Sequence, residues 1–259
     1  MTLDRAYADW YRPSSGRFSG VGDRVLRRTR GLLARRLDRV APPGTVLDVG
    51  AGDGALLDAL GSRGRAALGL ERVATRPDVR AGELDDLDDR FAAIVFWHSL
   101  EHLPEPSGAL ARATALLSPG GLLVVAVPNA ASLQARVFGD RWLALDPPRH
   151  LVHIPADALI ERLRELGLRV ERVSHLRGGQ VVFGWLHGLV GLLPRHPDIY
   201  DAIRRPAARR APMGGAERLA VLVTGAVLLP VAAVLTGVEA TLRRGGSLYV
   251  EARRPGDIR

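Results

Sequence analysis

Val46-Leu-Asp-Val-Gly-Ala-Gly-Asp-Gly54 is the stretch that decides the fold. An apolar run from Thr45 to Val49 stops at a glycine-rich turn, and a helical pattern follows from Ala55 to Leu60. The order is strand, tight loop, helix N-terminus. Such a loop brings backbone N–H groups close to an anionic or polar ligand. Gly50, Gly52 and Gly54 allow backbone angles and a close approach that a side chain would forbid. Asp48 is the unusual residue, a carboxylate inside an otherwise apolar strand. Burying a carboxylate is costly unless it has partners. At the C-terminal end of a first parallel strand it faces the ligand crevice, where it can hold a cationic or hydrogen-donating group.

Two cofactor classes use such a turn. Gly50-x-Gly52-x-x-Ala55 satisfies the loose dinucleotide pattern. A dinucleotide would place its pyrophosphate at the helix, where an extra carboxylate repels it. S-adenosylmethionine carries no phosphate and ends in an ammonium and a carboxylate, so it suits Asp48 better. The stretch resembles motif I of the class I S-adenosylmethionine-dependent methyltransferases. Other segments continue the resemblance in order. Ala66-Ala-Leu-Gly-Leu70 reads as a second strand ending at Glu71, an acidic residue about 20 positions beyond the glycine loop, where it can accept from ribose hydroxyls. Gly82-Glu-Leu-Asp-Asp86 stands where the family has its adenine-side loop, which implies that Leu84 packs on the base. Phe91 to Phe96 reads as the fourth strand, with Ala92 where the family often has Asp. Trp97-His-Ser-Leu-Glu-His-Leu103 is similar to the "HxLEHL" turn of a subgroup that includes the ubiquinone-biosynthesis O-methyltransferases, and Leu117 to Pro128 resembles the loop and fifth strand after it.

The resemblance implies an α/β fold: a Rossmann-like seven-stranded methyltransferase sheet whose last strand is antiparallel. The chain's 259 residues suffice for one such domain with an elaboration. There is no cysteine, which excludes disulfides, thiolate metal sites and a cysteine nucleophile. The N-terminal residues do not read as a signal peptide, so a cytoplasmic start is expected. The net charge is +8 and every basic residue is Arg. Compositional bias accounts for that, with a basic surface for nucleic acid or anionic lipid as the alternative. The Arg-rich stretch Arg24 to Arg39 has Val25, Leu26, Leu32, Leu33 and Leu37 at helical spacing, which predicts an amphipathic helix near 23–39.

Residues 1–43 read as an N-terminal helical extension, 44–175 as the core, 176–244 as an apolar helical insertion between strands 6 and 7, and 245–259 as the final strand and tail. Within the core, 131–154 reads as a loop and 156–166 as a helix stopped by Gly167. Leu168–Val173 and Gly246–Arg253 alternate like strands. The insertion is the second informative region. Leu219 to Val238 contains no charge and is long enough to span a bilayer. If the last strand rejoins the sheet, however, a single crossing would leave that strand on the wrong side. The first apolar run, Val181–Leu193, is short for a crossing, and Pro230 is expected to kink the second. A helical pair that packs on the domain or enters one leaflet is therefore expected. Peripheral membrane contact would run through 181–193 and 219–238, and the Arg-rich linker Arg204–Arg210 could sit on lipid phosphates.

For the cofactor, Asp48, Gly50, Ala51, Gly52, Glu71, Leu84 and His98 are the candidate residues; Asp53 reads as a helix cap. His102, His150 and His153 are candidate bases, because histidine titrates near neutral pH. Asp146-Pro-Pro-Arg-His150 resembles a segment of the same subgroup; Arg149 and Trp142 are candidate substrate contacts, unless Asp146 and Arg149 simply brace a rigid turn. No metal is expected. Nucleic acid is disfavoured, because the D/N-P-P-Y/F motif of nucleobase methyltransferases follows the fourth strand, and here Trp97-His-Ser does. The expectation is O-methylation of a small or lipophilic acceptor. The rivals are a nicotinamide-dependent oxidoreductase, a membrane-associated scaffold on the same fold and an RNA methyltransferase. The sequence does not specify the acceptor, its reacting atom or the oligomeric state.

Overall fold

Short apolar segments separated by glycine and proline turns become seven strands of one sheet. They are β1 (Val46–Val49), β2 (Ala67–Glu71), β3 (Val79–Ala81), β4 (Phe91–Trp97), β5 (Leu117–Pro128), β6 (Arg169–Ser174) and β7 (Ser247–Arg253), in the order β3-β2-β1-β4-β5-β7-β6. The computed structural model describes residues 21–256 apart from 75, 177, 178, 196, 207, 208 and 210. The first 20 residues of the expected N-terminal extension, and part of the Arg-rich linker, lie outside the described residues. The pairs β1–β2, β1–β4, β2–β3 and β4–β5 are parallel, while β7 runs antiparallel to both β5 and β6. The chain therefore leaves β1 in one direction for β2 and in the other for β4, which opens a crevice at the carboxyl ends of β1 and β4.

Successive strand residues point to opposite faces, and each face buries a different set of helices. Val46, Ala93, Val95, Leu122 and Val124 pack with Leu33 and Leu37 of α1 (Val21–Val40) and with Leu56 and Leu60 of α2 (Ala55–Gly61). Leu47, Ile94, Phe96, Leu123 and Val125 pack with α3 (Pro106–Leu116) and α5 (Ala156–Glu165) on the other face. Leu33 and Leu37 are buried as the amphipathic spacing predicts, whereas Leu32 is exposed. The side chains of Val25 and Leu26 are not among those described. Gly167 adopts φ +76° just after α5, a conformation in which glycine carries no Cβ penalty.

Residues 131–154, expected as a loop, contain α4 (Leu133–Phe138) and two 3-10 turns. Ser132 caps α4 by accepting from the Ala135 N–H at 3.0 Å. The six-residue helix is too short to show a periodic stripe in sequence. It forms because it docks on the insertion, where Phe138 and Trp142 join a core with Val181, Trp185, Ile199, Val221 and Ala232. The insertion consists of α6 (Gln180–Gly191), the short α7 (Ile199–Ile203) and α8 (Gly215–Thr241). Helix α8 runs on through Pro230, where a kink was expected. Pro230 lies on the exposed side of the helix.

Candidate active site

The glycine turn sits where β1 and β4 diverge. Gly50 has φ +78°, and a methyl group there would stand 2.5 Å from Ser99 Cβ. The turn after β4 thus packs directly on the turn after β1, and Ser99 Oγ donates to the Val49 carbonyl at 2.5 Å. Glu71, at the end of β2, accepts from the Gly52 N–H at 2.8 Å, which ties the second acidic position to the loop. Asp53 accepts from the Ala55 N–H at 3.2 Å, but the N-cap of α2 is Gly54 and Asp53 does not occupy the cap position expected of it. Ala51 is buried behind the loop. Leu84 lies in a 3-10 turn and is buried in the main core, so most of its side chain packs inward rather than towards a ligand.

Asp48 is only 4% exposed. Burial pushes its carboxyl up to about 6; Arg30 opposes that shift, and the charges of Glu71 and Asp53 add to it. The crevice is therefore acidic, with three carboxylates converging on it. This environment fits a ligand with a sulfonium and an ammonium and opposes a pyrophosphate.

Arg30 was not singled out from the sequence. It is one arginine among many on α1, and only the tertiary fold carries it to the crevice. Its guanidinium lies over the Trp97 ring, 4.8 Å from the centroid. Burial lowers its pKa while Asp48 and Asp53 raise it, and it remains a cation. Arg30 is thus the positive counterweight in an acidic site. Among the described residues it provides a place for a ligand carboxylate.

Beyond Trp97 the chain builds a cluster of histidines around one acid. Glu101 is 2% exposed. His98, held at φ +54°, places Nδ1 3.3 Å from Glu101 Oε1. Neither Glu101 oxygen has a well-directed hydrogen bond, so that contact is electrostatic rather than a formed bond. Burial alone would raise the Glu101 pKa, but His98, His102 and His150 together bring it below the usual carboxylate value. His102 Nδ1 lies 2.7 Å from the Arg149 carbonyl, and His150 Nδ1 lies 2.7 Å from the Ala144 carbonyl. A carbonyl only accepts, so both Nδ1 atoms carry the proton, and each neutral ring keeps its lone pair on Nε2. His150 Nε2 is 4.0 Å from Glu101 Oε1. Burial lowers the His150 pKa, against the opposing charge of Glu101. The rings of His102 and His150 are 4.8 Å apart and those of His150 and His153 are 6.5 Å apart. The ligand atoms of Glu101, His102 and His150 lie within 4.8 Å of one another, a spacing that can share a proton or hold a cation. Glu101 was read only as part of a motif. An acid in a turn that also holds His98, Ser99 and His102 breaks no local pattern, so its role shows only in the fold.

His153 is exposed and turned to the Leu145 carbonyl at 3.1 Å, further from the acid than the other two histidines. Arg149 forms an ion pair with Asp146 across the Pro147–Pro148 turn, the bracing arrangement. Trp142 is 5% exposed. Trp142, Arg149, Asp146 and His187 line a hollow of about 340 Å³ between this loop and α6. His187 Nδ1 is buried there without a partner.

The sequence pattern of the family described as "Methyltransferase domain" matches residues 24–173, more than half of the chain. The chain belongs to that family. It is an S-adenosylmethionine-dependent methyltransferase, which sets aside the nicotinamide and scaffold readings. The ubiquinone biosynthesis O-methyltransferase of Xanthomonas axonopodis pv. citri (strain 306) is 30% identical over 162 residues, 52% of this chain and 67% of that protein. A SAM-dependent methyltransferase from Archaeoglobus fulgidus shares the fold at TM-score 0.52 and 17% identity, over 86% of this chain and 94% of that one. The [4+2]-cyclase SpnF shares it at TM-score 0.53 and 20% identity, over 98% of this chain and 92% of that one. At such identities the likeness establishes the fold, and the chemistry must be argued from the site.

Proposed function

We propose that this methyltransferase methylates an oxygen of a small or lipophilic acceptor, with His150 as the base that removes the acceptor's proton. When bound, S-adenosylmethionine supplies an electrophilic methyl group on a sulfonium. Asp48 receives the ammonium of its amino-acid end, Arg30 the carboxylate and Glu71 the ribose hydroxyls. Gly50, Ala51 and Gly52 give the backbone room for that approach, and His98 borders the same end. The carrying observation is the state of His150. Its Nδ1–H is committed to Ala144, and its Nε2 lone pair stands beside a buried acid at the turn that packs on the cofactor loop. A neutral imidazole with one fixed proton accepts another at Nε2, and Glu101 stabilises the imidazolium that results. His102 neighbours it and keeps the same tautomer.

Arg149 and Trp142 border the hollow in which the rest of the acceptor would lie. The name of the Xanthomonas relative supports oxygen as the reacting atom. The apolar insertion supports a lipophilic acceptor taken up at the cytoplasmic face of a membrane, with α6 and α8 in peripheral contact and the insertion as a separate cap on the core.

Calorimetric titration with S-adenosylhomocysteine is the first test, in wild type and in Asp48→Ala. Binding in the wild type that disappears in the variant supports the cofactor site. Transfer of labelled methyl to a panel of lipophilic phenols then tests the acceptor class. Tight S-adenosylhomocysteine binding with no transfer to any hydroxyl acceptor overturns the O-methylation reading.

A further inference from the structure

Helix α8 has a face that the domain does not cover. Leu219, Val223, Val227, Val234 and Val238, with Leu242 just past its end, are between 46% and 70% exposed, and the one charged residue between them, Glu239, is fully buried. This stripe is about 35 Å long at 1.5 Å per residue, and a contiguous exposed apolar surface marks a protein or membrane interaction site. The helix is long and apolar enough to cross a membrane. The sheet forbids a single crossing, however, because β6 before the insertion and β7 after it pair side by side. Helix α6 has 12 residues, about 18 Å, too short to return the chain through a core of about 30 Å. An apolar helix tied down at both ends on one side of a bilayer lies in its surface.

At the C-terminal end of α8 a second feature fits that position. A hollow of about 560 Å³ opens between α5, the end of β6 and the end of α8. Arg164, Arg243, His175 and Asp157 line it, together with Leu176, which is 53% exposed. Among the described residues, Arg164 and Arg243 form no ion pair. His175 Nδ1 is buried without a partner. Asp157 sets one negative charge against two positive ones, so the hollow favours an anion.

The structure assigns this hollow as a binding site for the phosphate headgroup of an anionic phospholipid, with α8 lying in the bilayer surface beside it. The assignment rests on the membrane contact proposed above and adds its headgroup. The apolar stripe is what selects a lipid over a free phosphate, because a soluble anion makes no use of it.

The test is co-sedimentation of the full chain with vesicles of phosphatidylcholine alone or mixed with phosphatidylglycerol. Wild type should bind the mixed vesicles. Arg164→Gln/Arg243→Gln should bind them roughly thirtyfold more weakly, as expected for two interfacial charges. Arg27→Gln/Arg35→Gln, which removes the same charge from α1, should lose much less. Equal losses in the two double variants overturn the assignment in favour of diffuse attraction. If Val227→Glu/Val234→Glu abolishes binding while Arg164→Gln/Arg243→Gln leaves it unchanged, the headgroup site is overturned and the membrane contact stands. No vesicle binding by wild type, with a dimer in sedimentation velocity, overturns both and gives the stripe to a second copy. Titration with inorganic phosphate is the remaining arm. Binding of phosphate that depends on the two arginines, without vesicle binding, overturns the lipid in favour of a soluble anion. S-adenosylhomocysteine affinity and thermal unfolding of every variant should match wild type, which keeps these outcomes separate from the fate of the methyl-transfer site.

Discussion

Asp48 carries two opposed effects. As a buried carboxylate with a pKa raised from 3.8 to about 6, it contributes stability below pH 3.8 that is lost as pH rises through about 6. At neutral pH its ionisation costs the ligand-free protein about 3 kcal/mol. Asp48→Asn is therefore expected to raise the thermal midpoint of the ligand-free chain. The same change should weaken S-adenosylhomocysteine binding roughly tenfold to hundredfold, since a charge-assisted hydrogen bond is lost. Differential scanning calorimetry and titration on one sample check both signs. If Asp48 receives the cofactor's ammonium as proposed, wild-type affinity should fall as pH drops below about 6, and Asp48→Asn should flatten that dependence. His150→Ala should reduce methyl transfer by about 10²- to 10⁴-fold while leaving cofactor affinity unchanged; a parallel loss of affinity would reassign the residue to binding. Asp48 was legible in the sequence because a carboxylate in an apolar strand breaks the local pattern. Arg30 and Glu101 were not, since an arginine on a basic helix and an acid in a turn break none. Their meaning comes from Trp97 under the one and three histidines around the other.

Elements are held to the sheet by a few buried polar anchors. Glu239 of α8 is fully buried and accepts from the Gln134 N–H at 3.0 Å, Gln134 Nε2 at 2.9 Å and Trp185 Nε1 at 2.9 Å. One acid thus joins α8, α6 and α4. Glu239→Ala strands those donors and is expected to cost on the order of 3 kcal/mol, read as a lower denaturant midpoint. Gly188 gives α6 its close approach to α4: a methyl group there would stand 2.3 Å from the Phe138 ring. Gly188→Ala should therefore destabilise by about 1–3 kcal/mol, even though alanine is the better helix former. At the other side of the molecule, Arg36 reaches both oxygens of Glu251 at 3.0 and 2.7 Å, and Tyr249 donates to the same acid at 2.5 Å. This fork fixes α1, the helix that carries Arg30. Arg36→Ala should loosen S-adenosylhomocysteine binding as well as lower stability, whereas a purely peripheral helix would affect stability alone. Helices with long stripes, and strands bounded by glycine, were readable in advance. Helix α4 was not, because its formation depends on a tertiary partner 40 or more residues away in the chain.

The whole molecule places its longest apolar helix in the chain between β6 and β7, two strands that must end up side by side in the sheet. Strand β7 occupies the slot between β5 and β6 and pairs with both. It is synthesised only after α8. Until Ser247 and the residues after it leave the ribosome, β5 has an open edge and β6 has no neighbour to pair with. The gap is about 10 Å, the width of one missing strand. For that interval the exposed stripe of α8 is available before the sheet is closed. Folding therefore has an order in time. If α8 lies in a membrane surface as proposed, the insertion reaches it while the domain is still unlocked, and β7 then closes the sheet as a bolt. Nascent chains arrested before Ser247 should be cut readily by protease within β6 and sediment with vesicles. Chains released past Arg253 should resist cleavage.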